Sequence, residues 1–321
     1  MKCTNLVRLS LCLLFMGGMG SWVMAQSFPD RPVKIVIAAP PAGGMDAVGR
    51  ALGLYLSTAL KQPVVIENRP GGNGVIATQQ VAKSPADGYT LLLSGSFHTI
   101  NPWTIKKLPY DSIKDFVGVA KLGASPLIFV AGAGTGVKTG KDFAEFSAKR
   151  PLDLAFAVSV METRLGAEAI LSPLGKNATF VNYKGTGPAM ADLIAGHVPF
   201  FVTTLASILP FKDTGKMNIV GVTDKKRSSF LPDVPTLAEQ GIAAEADVWY
   251  GLLAPAGTPK EIVERLNKEI VLINAQPEYL SRMRSMSIQP ANLSHTEFDQ
   301  LIRSEMARFE ILIKASKIQP E

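Results

Sequence analysis

The sequence predicts an α/β protein built as two lobes of alternating strands and helices. Three observations lead there. The chain has 321 residues, 47% hydrophobic and 19% charged, which leaves room for about two cored domains. Continuous β-branched runs such as residues 33–39, VKIVIAA, suit strands covered on both faces. Between such runs lie segments with apolar residues at helical spacing, and strand–helix–strand alternation implies parallel sheets clothed by helices. A disordered chain would carry less apolar residue, and a coiled coil fewer than these 28 Gly and 22 Pro.

The elements follow in order. After the strand at 33–39 comes the turn cluster Pro40-Pro41-Ala42-Gly43-Gly44-Met45, with Asp46 as the expected N-cap of a helix that buries Val48, Leu52, Tyr55, Leu56 and Ala59. A strand at 64–67, a glycine-rich turn, a helix near 75–83 and a strand at 89–93 complete a βαβαβ unit. Further strands are expected at 127–130, 154–158, 179–183, 198–203, 218–223 and 248–253, with helices at 141–149, 163–171, 188–194 and 206–212. Thr258-Pro259-Lys260-Glu261 reads as an N-cap, a Pro at the first helical position and a Glu two residues on. Ser294 and Glu297 form a capping box before the last helix.

Residues 1–25 stand apart from this pattern. Lys2 and Arg8 precede an apolar stretch at 9–19, and Val23-Met24-Ala25 places small residues for cleavage after Ala25, so a secretory signal peptide is expected. Both cysteines, Cys3 and Cys12, fall within it. The chain beyond Ala25 therefore has no disulfide, thiolate nucleophile or cysteine metal site. The net charge of +6 is spread out, and no run of like charges exceeds Lys225-Lys226-Arg227, so no nucleic-acid surface is expected.

In open parallel sheets, ligands bind beyond the carboxyl ends of the strands. Two strand-to-helix loops there stand out. In Ala42, Gly43, Gly44, Met45 and Asp46, adjacent glycines let backbone N–H groups approach a ligand, and the helix end favours an anion. Lys184, Gly185, Thr186 and Gly187 repeat the arrangement before a second helix, with Lys184 as a possible ligand contact. Ser94 and Ser96 would add hydroxyl donors after the third strand. Neither a phosphate loop nor a G-x-G-x-x-G fingerprint is present. His98, His197 and His295 lack metal spacing, and although His98 lies two residues from Ser96, no nucleophile elbow accompanies them. His197 and His295 are expected to be exposed. These residues give an enzyme little to stand on and call for no cofactor or metal, although paired carboxylates brought together by the fold stay open.

Taken together, these motifs resemble the Bug-type periplasmic receptors of tripartite tricarboxylate transporters over nearly the whole chain after Ala25. The resemblance rests on Pro41-Ala42-Gly43-Gly44-Met45-Asp46, Val64-Val65-Ile66-Glu67-Asn68-Arg69-Pro70-Gly71-Gly72, Asp87-Gly88-Tyr89-Thr90-Leu91 and Ile100-Asn101-Pro102. It continues through Tyr183-Lys184-Gly185-Thr186-Gly187-Pro188-Ala189, Leu231-Pro232-Asp233-Val234-Pro235-Thr236 and the block from Trp249 to Pro259. It implies a type II-like Venus flytrap, with residues 26–124 and 224–321 as one lobe and 125–223 as the other. It implies capture of a small carboxylate in the cleft by the 42–46 and 184–187 loops, and delivery to membrane permease subunits. A monomer is expected. A sensor that docks on another membrane receptor and a periplasmic enzyme acting on small carboxylates are the alternatives.

Three departures from the family pattern bear on the ligand. Ala42 and Met45 replace a glycine and a hydroxyl residue. The segment Val158-Ser159-Val160-Met161-Glu162-Thr163-Arg164 replaces a glycine-rich stretch, and Thr203 stands where an Asp is usual. Ser159, Met161, Thr163 and Thr203 join the candidate site on that basis. Met45 and Met161 point to a monocarboxylate, or an aromatic or aliphatic acid, because methionine fills irregular apolar space. Arg164 offers the opposing expectation of a second carboxylate.

Overall fold

The computed structural model describes residues 28–316 and 318–320; the expected signal peptide and its cleavage site lie outside the described residues. Strands β1 (Val33–Ile37), β2 (Val64–Asn68) and β3 (Thr90–Gly95) pair in parallel in the order β2-β1-β3. Helices α1 (Gly44–Leu60) and α2 (Val75–Ala82) make their crossovers. Helix α1 lies close against this sheet because Gly49 and Gly53 face it: a Cβ at Gly49 would come within 2.8 Å of Leu93 Cδ2, and one at Gly53 within 3.1 Å of Ile66 Cδ1.

Helix α3 (Phe97–Thr104) then leads into β4 (Phe116–Gly132), a strand of 17 residues. Next come α4 (Gly140–Lys149), β5 (Ala155–Val158), α5 (Met161–Leu171), β6 (Thr179–Asn182) and α6 (Thr186–Ala195). After them follow β7 (Phe200–Thr204), the single turn α7 (Leu205–Ile208) and β8 (Met217–Val222). The chain ends through β9 (Asp247–Pro255), α8 (Lys260–Asn274), α9 (Pro277–Ser285), β10 (Gln289–Pro290) and α10 (His295–Ala315).

The sheet order is β2-β1-β3-β9-β4-β7-β5-β6, with β8 and β10 also paired to β4. Strand β4 joins the two halves. Its first part pairs with β9, from Phe116 opposite Pro255 to Pro126 opposite Asp247. Its last part, from Leu127 onward, pairs with β7 and β8. At that junction Thr223 Oγ1 lies 2.7 Å from the Leu127 carbonyl oxygen and 2.6 Å from that of Ala246, tying three passes of the chain together.

The expected parallel pairing holds within β1–β3 and within β5–β7, whereas β4, β8 and β9 run antiparallel to their neighbours. A strand arriving from the other half of the sheet returns against the direction of the strand it joins. Period-two alternation along β4 divides its side chains between two cores. Leu127, Phe129 and Ala131 pack with Phe143, Phe156 and Phe200, while Ile128 and Val130 pack with Met190, Leu193 and Phe201. In the first half, Val36, Leu92, Trp249, Leu253 and Phe298 form the core. From Arg31 onward the chain is a single compact unit.

Three local readings change. Gly43, with ψ at 172°, is the N-cap of α1, so Asp46 sits in the first turn and its carboxylate reaches back to the Ala42 N–H at 3.0 Å. Pro259 caps α8, and Thr258 donates its hydroxyl to the Pro255 carbonyl at 2.7 Å. The helix expected at 206–212 closes after Ile208, as Leu209-Pro210 begins a series of turns. The Ser294–Glu297 capping box forms as expected, with Glu297 Oε2 accepting from the Ser294 N–H at 2.8 Å.

Candidate ligand-binding site

The carboxyl end of β1 opens into the first glycine loop. Ala42 is left-handed, with φ of 64°, a conformation that Cβ sterics penalise by about 1–2 kcal/mol. Gly43 offers no side chain to cap α1, so the first N–H groups of that helix remain available to an anion. Asp46 is not free to meet a ligand. It is buried just beneath the surface, and its oxygens accept from Ala42 N at 3.0 Å, Arg50 Nε at 2.9 Å and Asn68 Nδ2 at 2.9 Å. These bonds, Arg50 foremost, hold its carboxyl below the ordinary Asp value against the opposing effect of burial. The carboxylate thus fixes the loop rather than reading the ligand. Ala42→Gly should raise stability by about 0.5–1 kcal/mol by relieving the strained φ. A urea midpoint that falls would contradict this.

Beside the loop, Met45 covers Gly95 at the end of β3, where a Cβ would lie 3.1 Å from Met45 Cε and 2.9 Å from the Trp249 carbonyl. The two serines flanking Gly95 have other surroundings. Ser96 Oγ accepts from Trp249 N at 3.0 Å and lies 3.3 Å from the Asp247 carbonyl, tying β3 to β9. Ser94 is fully buried, and its hydroxyl has no hydrogen-bond partner among the described residues.

In the second half, α6 starts at Gly185, whose φ of 110° is open only to glycine, and no side chain caps it. A Cβ at Gly185 or Gly187 would meet nothing within 4 Å, so both backbones face open space. Lys184 is exposed beside them. Ser159 Oγ lies 3.3 Å from Thr186 Oγ1 and links this loop to the start of α5. Thr163 is buried, with its hydroxyl accepting from the Ser159 and Val160 N–H groups at 3.1 and 3.3 Å. That makes it a clasp for the turn before α5. Thr203 is buried within β7 opposite Ile128.

Two residues that sequence reading passed over connect these parts. Tyr250, on β9, brings its hydroxyl within 3.6 Å of where a Gly44 Cβ would stand. Glu162, in the first turn of α5, lies near enough that its charge, after burial, raises the Tyr250 hydroxyl; α5 itself packs against β9. Burial also raises Glu162, whose side chain is half-covered yet set deep among protein atoms. The approach of Tyr250 to Gly44, the charge of Glu162 acting on Tyr250, and the Ser159–Thr186 approach relate the starts of α1, α5 and α6 to one another. A groove of about 470 Å³ lies beside the start of α5 and the end of β6, lined by Ser159, Met161, Asn182, Tyr183, Ile318 and Gln319 among others. The Trp249-Tyr250-Gly251 block was the available signal for Tyr250, and the acidic residue inserted in the altered 158–164 segment was the signal for Glu162.

The second-carboxylate role expected of Arg164 is not supported. Its guanidinium bonds to Glu168 Oε1 at 2.7 and 2.9 Å and stacks 3.3 Å above the Phe180 ring centroid. Among the described residues the histidines form no catalytic constellation either. His98 is fully buried, its Nε2 is 3.0 Å from the Ser112 carbonyl, and burial lowers it to about 4. His197 is exposed, whereas His295 is largely covered, with 16% of its side chain accessible and Nε2 3.9 Å from Glu264. Among the described residues no group of His, Cys, Asp and Glu suits a metal ion, and no helix is long and apolar enough to cross a membrane.

Paired glycine-capped helix ends on such a sheet lead to a comparison with known proteins. Residues 48–318 match the pattern of the tripartite tricarboxylate transporter family receptor, TctC. The chain belongs to this receptor family. The receptor is 32% identical over 275 residues to Protein BugT of Bordetella pertussis, covering 84% of each chain. A solved R. palustris protein with adipate is 30% identical, with a TM-score of 0.75 over 92% of this chain and 100% of that one. The periplasmic binding protein BugD is 28% identical with a TM-score of 0.71, over 92% and 100% of the two chains. The receptor thus has the α/β periplasmic binding protein fold and belongs to a family of binding proteins, not enzymes.

Proposed function

We propose that this receptor captures a small carboxylate between the two halves of its sheet and hands it to the permease subunits of a tripartite transporter in the membrane. One observation carries the reading. Each half presents a helix N-terminus, that of α1 or of α6, capped by glycine without a side-chain acceptor. Such ends hold carboxylate oxygens through backbone N–H groups and the helix dipole. The R. palustris relative solved with adipate supports the same ligand class. The two halves act as lobes, residues 26–124 with 224–321 against residues 125–223, and the β4 crossing together with the Thr223 clasp marks where they would flex. Closure follows because contacts from both lobes exist only in the shut form. Secretion through a signal peptide cleaved after Ala25 would deliver a monomer to the periplasm.

The test is a thermal-shift screen of unfolded and refolded protein against mono-, di- and tricarboxylates. Ligand at 100 times its Kd should add about 2.7 kcal/mol, a rise of several degrees in Tm. Gly187→Trp, which fills the open space beside the first turn of α6, should abolish that rise while leaving the ligand-free Tm near that of the wild type. A ligand shift that persists in Gly187→Trp would place the site elsewhere.

A further inference from the structure

Resting on the carboxylate reading above, the charges around the cleft narrow the ligand class. Glu162 makes no ion pair among the described residues, and its carboxylate accepts only from its own backbone N–H; it stands in the first turn of α5, the helix that packs against β9. Two arginines on α5 and α1 are already occupied, while Lys184 stands exposed before α6. Arg164, two residues on, is held by Glu168 and Phe180, and Arg50, on α1, is held by Asp46. Tyr250, whose hydroxyl feels the charge of Glu162, has no hydrogen bond at that hydroxyl among the described residues. An acidic first-turn residue offsets the positive end of α5; α1 has one too, Asp46, but its charge is paired with Arg50. Helix α6 has none, and Lys184 precedes it. The cleft is therefore polarised, with an anion-accepting side at α1 and α6 and an unpaired carboxylate at α5.

An unpaired carboxylate in a closing cleft repels a second carboxylate and gains from a cation or N–H donor. We propose that the ligand is a zwitterionic monocarboxylate, its carboxylate held at the α1 and α6 ends and its ammonium received by Glu162 with Tyr250 alongside. The deep setting that raises Glu162 acts in the same direction, since pairing with an ammonium removes the cost of burying its charge. A dicarboxylate of the same length would instead set two negative groups against one another.

The experiment compares matched sets by calorimetry on refolded wild-type protein and Glu162→Gln: butyrate, 4-aminobutyrate and succinate, then hexanoate, 6-aminohexanoate and adipate. In at least one set the amino acid should bind roughly tenfold or more tighter than the diacid, a gap of about 1.4 kcal/mol. Glu162→Gln should erase that preference, weakening the amino acid more than the simple monoacid. A diacid that binds tightest, or a preference untouched by Glu162→Gln, overturns the zwitterion assignment and leaves the carboxylate receptor standing. Binding of no carboxylate in either set overturns both.

Discussion

Asp46→Asn should cost about 2–3 kcal/mol of stability and weaken ligand binding by roughly tenfold or more. The side chain is nearly isosteric, so the loss is chemical. Oδ2 accepts from Ala42 N and Arg50 Nε while Oδ1 accepts from Asn68 Nδ2. An amide must turn its NH2 toward one of those donors, leaving it without a partner. Freed from Asp46, the Ala42 N–H no longer holds the left-handed turn that presents Gly43 and Gly44. The pH dependence has a defined sign. The folded carboxyl titrates below the ordinary Asp value of 3.8, so its contribution is complete above that value and is lost as the pH falls through the folded one. Urea unfolding at pH 7 and at pH 3 checks this: the deficit of Asp46→Asn should be large at pH 7 and shrink in acid. Equal deficits at both pH values would contradict it.

Glu305→Gln should have the opposite pH signature. Glu305, on α10, is 6% exposed and accepts from Trp249 Nε1 at 2.6 Å and Thr99 Oγ1 at 3.3 Å. Burial first, then the charge of Asp247, raises its carboxyl to about 7; Trp249, Arg308 and Lys121 oppose the rise. A raised acid favours the protonated folded state. The associated stability is present below the unfolded value near 4.5 and is lost as the pH climbs through about 7. Wild-type protein should therefore lose about 2–3 kcal/mol between pH 5 and pH 8. Glu305→Gln keeps an acceptor for Trp249 and removes the charge, so its stability should stay nearly level over that range and exceed wild type at pH 8. A wild-type profile without this decline would sink the assignment.

Much of the fold was legible because local pattern and tertiary role agree. The run at 33–39 is buried on both faces as β1, and the helical spacing of Val48, Leu52 and Leu56 matches the buried face of α1. Strand β4 shows where that agreement fails. Residues 116–126, FVGVAKLGASP, carry no alternation because both faces are covered. Gly118 and Gly123 are there to admit α10 and β10, with Cβ positions 2.9 Å from Phe298 Cδ1 and 2.7 Å from the Gln289 carbonyl. Helix α3 was hidden by Pro102 within its eight residues, and α9 by its charge and short span. Candidate-site glycines could be found because turn chemistry is local. Tyr250 and Glu162 could not, since their meeting depends on the pairing of β9 and the placement of α5, which no short window contains.

The position of β9 in the sheet also sets the order in which the molecule can assemble. Leu92 pairs with Leu253 and Ser94 with Gly251, so the β3 edge has no native partner until almost the whole chain exists. Partners this distant in sequence slow folding, because the intervening chain must be closed into a loop before any pairing is gained. A growing chain cannot complete its first half early, and it exposes an unpaired strand edge meanwhile. In this periplasmic binding protein family, late pairing of β3 with β9 means that the first half of the sheet takes its final shape only when nearly the whole polypeptide is made.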